Sequence, residues 1–125
     1  KRVLLSLTLA LLFAYIISAL LLYIFQRDFS TFNSKDEHPY ERISVLSQGE
    51  TLEVIVLNKG NAKALIYFGG NGEAVVVNAQ EFSSHLSDVT TYLVNYRGYG
   101  GSSGKPNESG IYADALAIYD QVKAL

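Results

Sequence analysis

The feature that most constrains this chain is an uncharged, apolar run near its start. Val3 to Phe25 contains twenty-three residues without a charge, mostly Leu, Ala, Ile, Phe and Tyr. As a helix rising about 1.5 Å per residue, this run is long enough to cross a bilayer core of roughly 30 Å. We therefore expect residues 1–27 to form a transmembrane anchor, which contacts membrane lipid through residues 3–25 and makes the protein single-pass.

Two other interpretations of the run fit less well. The apolar region of a signal peptide would span about 7–15 residues and end at a small-residue cleavage site, whereas Leu20–Phe25 leads directly into Gln26–Asp28. A buried core helix would carry more polar residues than Ser6, Thr8 and Ser18. Two basic residues precede the run and two follow it within ten positions, so the positive-inside rule leaves its orientation open, with a slight balance towards an extracytoplasmic domain.

The composition beyond the anchor excludes several classes of site. Residues 26–125 carry eight basic and twelve acidic residues, a net formal charge of −4. That balance offers no basic patch, so we expect no nucleic-acid partner. The absence of cysteine excludes disulfides, thiolate catalysis and zinc–cysteine sites. The acids do not have metal-ligand spacing, and we expect neither a metal nor another cofactor.

Beyond a polar linker at residues 28–40, the pattern alternates between strands and helices. The predicted elements are strands at Ile43–Leu46, Leu52–Leu57, Ala64–Phe68 and Val89–Asn95, a helix with the apolar stripe Val75, Ala79, Phe82 and Leu86, and a helix capped by Asn107 with the stripe Ile111, Ala115, Ile118, Tyr119 and Val122. The turn Ser47–Glu50 joins the first two strands as a hairpin. This order predicts an α/β fold with an antiparallel hairpin start followed by parallel strands with helices.

The glycine-rich turn Asn95–Gly104 contains the pattern G-x-S-x-G at Gly100 to Gly104. In a serine hydrolase this pattern forms a nucleophile elbow, a sharp turn between a strand and the helix that follows at once. Here Ser102 lies seven positions after the last predicted strand residue, and a loop rather than a helix follows it. Ser102 is therefore disfavoured as a catalytic nucleophile.

The same turn has a structural interpretation. Gly98, Gly100 and Gly101 permit positive φ angles, and Arg97 is placed to bond loop carbonyls or a carboxylate bidentately. We expect Tyr96 and Tyr99 to serve in packing.

The chain offers no base or acid that suits a catalytic triad. His38 lies in the linker, and His85 lies one position from an apolar stripe, where we expect it to be solvated. Neither is placed to reach a nucleophile within hydrogen-bond distance. Asp114 and Asp120 are predicted on the solvated side of the last helix.

Three segments together resemble the α/β-hydrolase superfamily. They are Leu65–Gly72, which is similar to the third strand and oxyanion loop, Leu93–Gly104, which is similar to the fourth strand and its turn, and Gly110–Ala115, which is similar to the helix leading to the nucleophile strand. The resemblance covers Glu41 to Leu125. The most similar branch comprises single-span, membrane-anchored hydrolases related to serine aminopeptidases and acyl-protein thioesterases.

The resemblance implies a site and a reaction. The oxyanion hole would include Asn71 and Gly70, with the backbone N–H of Asn71 as one donor. The histidine usual before the glycine of this loop is replaced by Gly69, which implies a less rigid hole. A Ser-His-Asp triad would follow beyond residue 125 and would act on small-molecule, acyl or peptidyl esters, thioesters or amides.

Residues 41–125 are therefore expected to be the N-terminal part of an α/β-hydrolase domain, truncated before the nucleophile strand and inactive alone. An alternative is a non-catalytic, anchored scaffold or interaction protein of the same fold, which the replacement of the histidine by Gly69 suggests. A second alternative, a nucleotide-binding domain with Gly69–Gly72 as phosphate loop, is weaker because the G-x-G-x-x-G pattern is not matched and no P-loop lysine follows.

Overall fold

A computed structural model describes residues 2–30 and 39–125, with side chains described for residues 6–24 and 39–125. The chain divides into two compact units, Lys1–Ser30 and Thr31–Leu125. Most of the predicted linker, including His38, lies outside the described residues.

The first unit is a single helix, α1, at Arg2–Ser30. Its stretch Ser6–Ile24 is long and apolar enough to cross a membrane, and none of it is buried inside the structure. The helix continues three residues past the predicted end of the anchor, so the start of the predicted linker is helical. Insertion in a membrane stays a prediction.

The second unit is built on a four-stranded sheet in the order β1-β2-β4-β3. Its strands are β1 (Glu41–Ser47), β2 (Glu50–Leu57), β3 (Lys63–Phe68) and β4 (Val89–Val94). The pairs β1–β2 and β2–β4 are antiparallel, and β3–β4 is parallel. The predicted α/β class, with an antiparallel start and a parallel pair, is confirmed.

The hairpin between β1 and β2 closes through two residues. Pairing extends to Ser47 opposite Glu50, which leaves Gln48 and Gly49 as the turn with φ of 49° and 82°. Positive φ at both central positions is what a type I′ turn requires, and this turn matches the natural twist of the strands.

The crossover from β3 to β4 contains a 3₁₀ turn at Val75–Asn78 and then α2 at Ala79–His85. The predicted stripe of this helix begins at Val75, but the α-helix starts only at Ala79. The three consecutive valines explain the difference, because β-branched side chains lower helix propensity and 3₁₀ turns are frequent at helix N-termini.

The sheet is packed on both faces. One face of β2 and β4 packs with α3 (Glu108–Lys123) through Val54, Val94 and Ile118. The other face packs with the crossover, where Ile55 and Leu93 meet a group that includes Ala79. Alternation along β2 thus sends neighbouring side chains into two separate cores, as the period of two requires.

The helix α3 begins and faces the sheet largely as its sequence predicts. The side chain of Asn107 accepts a hydrogen bond of 2.8 Å from the Gly110 N–H, which confirms the N-cap. The buried positions are Gly110, Asp114 and Ile118. Tyr119, predicted in the apolar stripe, is 53% exposed, so the buried face is rotated away from it.

Candidate functional site

Two loops lie together at the carboxyl ends of the parallel strands β3 and β4. Residues 69–74 follow β3, and residues 95–104 follow β4. Adjacent parallel strands end at the same edge of the sheet, the edge at which open α/β sheets bind ligands. The hydroxyl of Tyr96 in the second loop donates to the carbonyl of Gly69 in the first at 3.1 Å.

The first loop is a tight turn around Asn71 and Gly72. The N–H of Glu73 donates to the Gly70 carbonyl at 3.2 Å, and Gly72 has a φ of 72°. Positive φ at the third of four turn residues is the requirement of a type II turn, and glycine meets it without strain.

Hydrogen bonds hold the two peptide planes on either side of Gly70. In the first plane, the Gly69 carbonyl accepts from Tyr96, and the Gly70 N–H donates to the Glu73 carboxylate at 2.6 Å. In the second plane, the Gly70 carbonyl accepts from the Glu73 N–H. Three of the four polar groups in these planes are therefore occupied.

The fourth group is the N–H of Asn71. Within residues 39–125 it has no acceptor, and Asn71 is exposed. The peptide is trans, so this N–H points opposite to the Gly70 carbonyl that Glu73 holds. Of the two residues predicted for an oxyanion hole, Asn71 thus presents an unoccupied donor, whereas the N–H of Gly70 is bonded to a carboxylate.

The carboxylate of Glu73 is the centre of this loop, and the sequence interpretation missed it. Besides Gly70, it accepts from the Tyr67 hydroxyl at 2.8 Å and from the Asn78 side-chain amide in a short contact. The pKa of Glu73 is lowered, first by the Gly70 N–H and then by Tyr67, against partial burial. The hydrogen bond between Tyr67 and Glu73 raises the pKa of the Tyr67 hydroxyl. The sequence signal is an acid that follows the glycine pair after β3.

Gly69 occupies the position at which the resemblance implies a histidine. A Cβ there would lie 2.7 Å from Val75 Cγ1 and 3.3 Å from the Glu73 carboxyl carbon. The buried Val75 and the Glu73 side chain therefore fill the space that a larger residue would need. The loop has polar support from Glu73 and Tyr96.

Ser102 is occupied on both sides. Its Oγ donates to the Asn95 carbonyl at 2.7 Å and accepts from the Glu53 N–H at 2.8 Å, and the residue is only 8% exposed. The next helix starts six residues later, at Glu108. The bond to Glu53 connects the turn to β2, so Ser102 has a structural role.

Arg97 forms a buried ion pair with Asp114 of α3. Its Nε and a terminal guanidinium nitrogen donate to the two carboxylate oxygens at 2.8 and 2.6 Å, and the two residues are 5% and 2% exposed. Burial would raise the pKa of Asp114, but bonds from Arg97 and Ser47 outweigh it and lower that pKa. The expectation that Asp114 is solvated was wrong, because Arg97 brings a charge to the buried face of the helix.

The glycines of the second turn differ from one another. Gly98 and Gly100 have φ of 80° and 52°, whereas Gly101, which was also expected at positive φ, does not. A Cβ on Gly98 would lie 3.0 Å from both the Gly104 carbonyl oxygen and Pro106 Cδ. Conformation and space both restrict this position to glycine.

Within residues 39–125 no histidine makes a hydrogen bond to either loop. His85 is exposed, and its Nδ1 lies 3.0 Å from the Glu81 carbonyl of its own helix. Asp120 is exposed as well. The Glu73 carboxylate already occupies the Gly70 N–H, and its negative charge argues against phosphate binding at this loop.

Comparison with known proteins gives relatives for part of the chain. No protein-family profile matches it. It is 52% identical over 71 residues to protein ABHD12B of Homo sapiens, a match over 54% of this chain and 19% of that protein. It is 29% identical over 83 residues to a multifunctional-autoprocessing repeats-in-toxin of Vibrio cholerae, a match over 65% of this chain and 2% of the toxin. The chain thus spans a fifth or less of the length of these relatives.

Among solved structures, the fold is similar to that of the esterase Pf2001 of Pyrococcus furiosus. The superposition has a TM-score of 0.57, covers 76% of this chain and 40% of the esterase, and has 14% sequence identity. A similarity with 14% sequence identity shows the fold alone. That fold is the one expected from the segments Leu65–Gly72, Leu93–Gly104 and Gly110–Ala115. The chain thus has the fold of the N-terminal portion of an α/β-hydrolase.

Proposed function

We propose that this chain is the N-terminal segment of a membrane-anchored serine hydrolase that cleaves esters, thioesters or amides. In this proposal the Ser-His-Asp triad lies beyond residue 125, and the described segment supplies one half of the oxyanion hole. The proposal rests on one observation, the exposed and unoccupied N–H of Asn71 beside three bonded groups of the two Gly70 peptide planes.

The chemistry of acyl transfer explains why that group matters. Attack on a carbonyl places a negative charge on its oxygen, and an N–H already aimed at that oxygen stabilises the transition state without reorganising. Loss of one such donor costs about 2.7–4 kcal/mol of barrier. Since the loop bonds hold Asn71 in place before substrate arrives, they support this role.

Further support comes from the comparisons and from α1. The Pyrococcus furiosus protein with a similar fold is an esterase, which favours carbonyl compounds over other classes of substrate. The apolar stretch Ser6–Ile24 supports anchoring in a lipid bilayer. The turn at Ser102 supports a nucleophile elsewhere, since its Oγ is committed to backbone groups.

The triad is tested by labelling the complete protein that carries this segment with a fluorophosphonate. We expect labelling in the wild type and equal labelling in Ser102→Ala. A folded wild type that takes no label would contradict the proposal and favour a non-catalytic scaffold. Loss of label in a folded Ser102→Ala protein would identify Ser102 as the nucleophile and contradict a triad beyond residue 125.

The donor is tested by Asn71→Pro, with Asn71→Ala as the matched control. Proline lacks the N–H and is favoured at the second position of a type II turn, so the turn tolerates it. We expect kcat/KM on a p-nitrophenyl ester to fall about 10²–10³-fold in Asn71→Pro. Asn71→Ala keeps the N–H and should retain most activity; equal losses in both variants would exclude the donor role.

A further inference from the structure

We propose that Glu73 is a positioning residue for the oxyanion loop, and that its carboxylate replaces the support that a histidine at position 69 would give. This inference rests on the proposed function and deepens it. Glu73 touches no substrate in this scheme; it acts through the Gly70 peptides on the direction of the Asn71 N–H.

The geometry carries the proposal because one residue holds both planes at Gly70. The side chain of Glu73 accepts from the Gly70 N–H, and its backbone N–H donates to the Gly70 carbonyl. The first bond fixes the plane before Gly70, and the second fixes the plane that contains the Asn71 N–H. A peptide plane held at its carbonyl has its N–H direction determined as well.

The carboxylate is itself held by groups outside the loop. Tyr67 belongs to β3 and packs its ring against that of Phe82 of α2, with 4.9 Å between centroids and 50° between the ring planes. Asn78 ends the 3₁₀ turn. Their donors orient Glu73 between the strand and the crossover, so the position of the loop is fixed relative to the sheet.

The charge of Glu73 is what distinguishes positioning from simple filling of space. Charge-assisted hydrogen bonds are shorter and stronger than neutral ones, and the Gly70 N–H to carboxylate distance is 2.6 Å. Glu73→Gln has nearly the same shape but can present an N–H₂ group to the loop. Glu81→Gln is the matched control, since Glu81 lies exposed on α2 and its carboxylate makes no hydrogen bond to the loop.

The first experiment is amide NMR on the whole 125-residue chain, ¹⁵N-glycine-labelled in detergent micelles. As pH falls, we expect the Gly70 amide proton to shift with a carboxyl titration whose midpoint lies below that of an ordinary glutamate. The titration should vanish in Glu73→Gln and persist in Glu81→Gln. An unchanged Gly70 titration in Glu73→Gln would overturn the inference, whatever the enzyme assays give.

The second experiment is steady-state kinetics on the complete protein with a p-nitrophenyl ester. We expect Glu73→Gln to lower kcat by about tenfold to a hundredfold, the cost of a small misplacement of a catalytic group, with KM and the melting temperature nearly unchanged. Equal kcat in Glu73→Gln and wild type, with the Gly70 titration lost, would refute the catalytic effect. Absence of hydrolysis in the wild type, with the titration intact, would refute the proposed function but retain Glu73 as the holder of the loop.

Discussion

The buried pair of Arg97 and Asp114 offers the sharpest test of how this fold is held together. Replacing Asp114 by Asn exchanges one carboxylate oxygen for an amide NH₂ group, yet the structure predicts a large loss of stability. Asp114 accepts two charge-assisted bonds, at 2.8 and 2.6 Å, from a guanidinium that is 5% exposed. Asparagine can accept only one of them and turns an N–H₂ group towards the other donor.

The magnitude follows from what remains after the substitution. A hydrogen bond to a charged group contributes about 1.5–3 kcal/mol, and an unpaired buried charge stays behind. Breaking one partner of a buried pair costs about 3–5 kcal/mol, and we expect Asp114→Asn to lower the free energy of unfolding by that amount. Asp120→Asn, on the exposed side of the same helix, should change it by less than about 0.5 kcal/mol.

The assay is urea unfolding followed by tyrosine near-ultraviolet circular dichroism, which reports on packing in the sheet domain. A double variant, Arg97→Met with Asp114→Leu, should recover much of the loss, because no charge is left without its partner. An Asp114→Asn protein as stable as Asp120→Asn would refute the reasoning.

The pH dependence provides a second readout of the same pair. The pKa of Asp114 is lowered in the folded state, so its contribution is fully present above the unfolded value of about 3.9. That contribution is lost as pH falls through the folded pKa. The loss of unfolding free energy that comes from protonating Asp114 should therefore occur below about pH 4 in the wild type. The Asp114→Asn protein should lack this loss.

Two further predictions concern the second turn. Ser102→Ala should destabilise the fold by about 1–3 kcal/mol in urea unfolding, because it leaves a buried carbonyl and a backbone N–H without partners; no loss would mean that water replaces both bonds. Gly98→Ala should cost more stability than Gly49→Ala, although both residues have φ near 80°, because a Cβ on Gly98 meets neighbours and one on Gly49 meets nothing within 4 Å. Equal losses would show that strain alone limits Gly98.

The strands and helix ends were predictable because local chemistry specifies them. The strands β2 and β4 are rich in β-branched residues, which favour strands, and Val54–Leu57 of β2 is a continuous apolar run. The Asn107 cap depends on a side chain and an N–H three residues later, so sequence spacing alone predicts it.

The candidate site was only partly predictable. Asn71 was identified through a resemblance, but the bonds that leave its N–H unoccupied were not. Glu73 was missed because its partners, Tyr67 and Asn78, lie on either side of the loop and meet it only when the strand, the turn and α2 are folded together. No periodic pattern marks such a convergence.

The sequence by itself determined the apolar first segment, the order of strands and helices, and the glycine turns, because these depend on residues within a few positions of one another. Only the tertiary structure decided that Asp114 is a buried partner of Arg97, since a residue on the helix is matched with one seventeen positions earlier. It also decided that the Asn71 N–H has no acceptor within residues 39–125 while the Gly70 N–H is bonded. That difference depends on where Glu73 and Tyr96, from two different loops, place their hydrogen bonds.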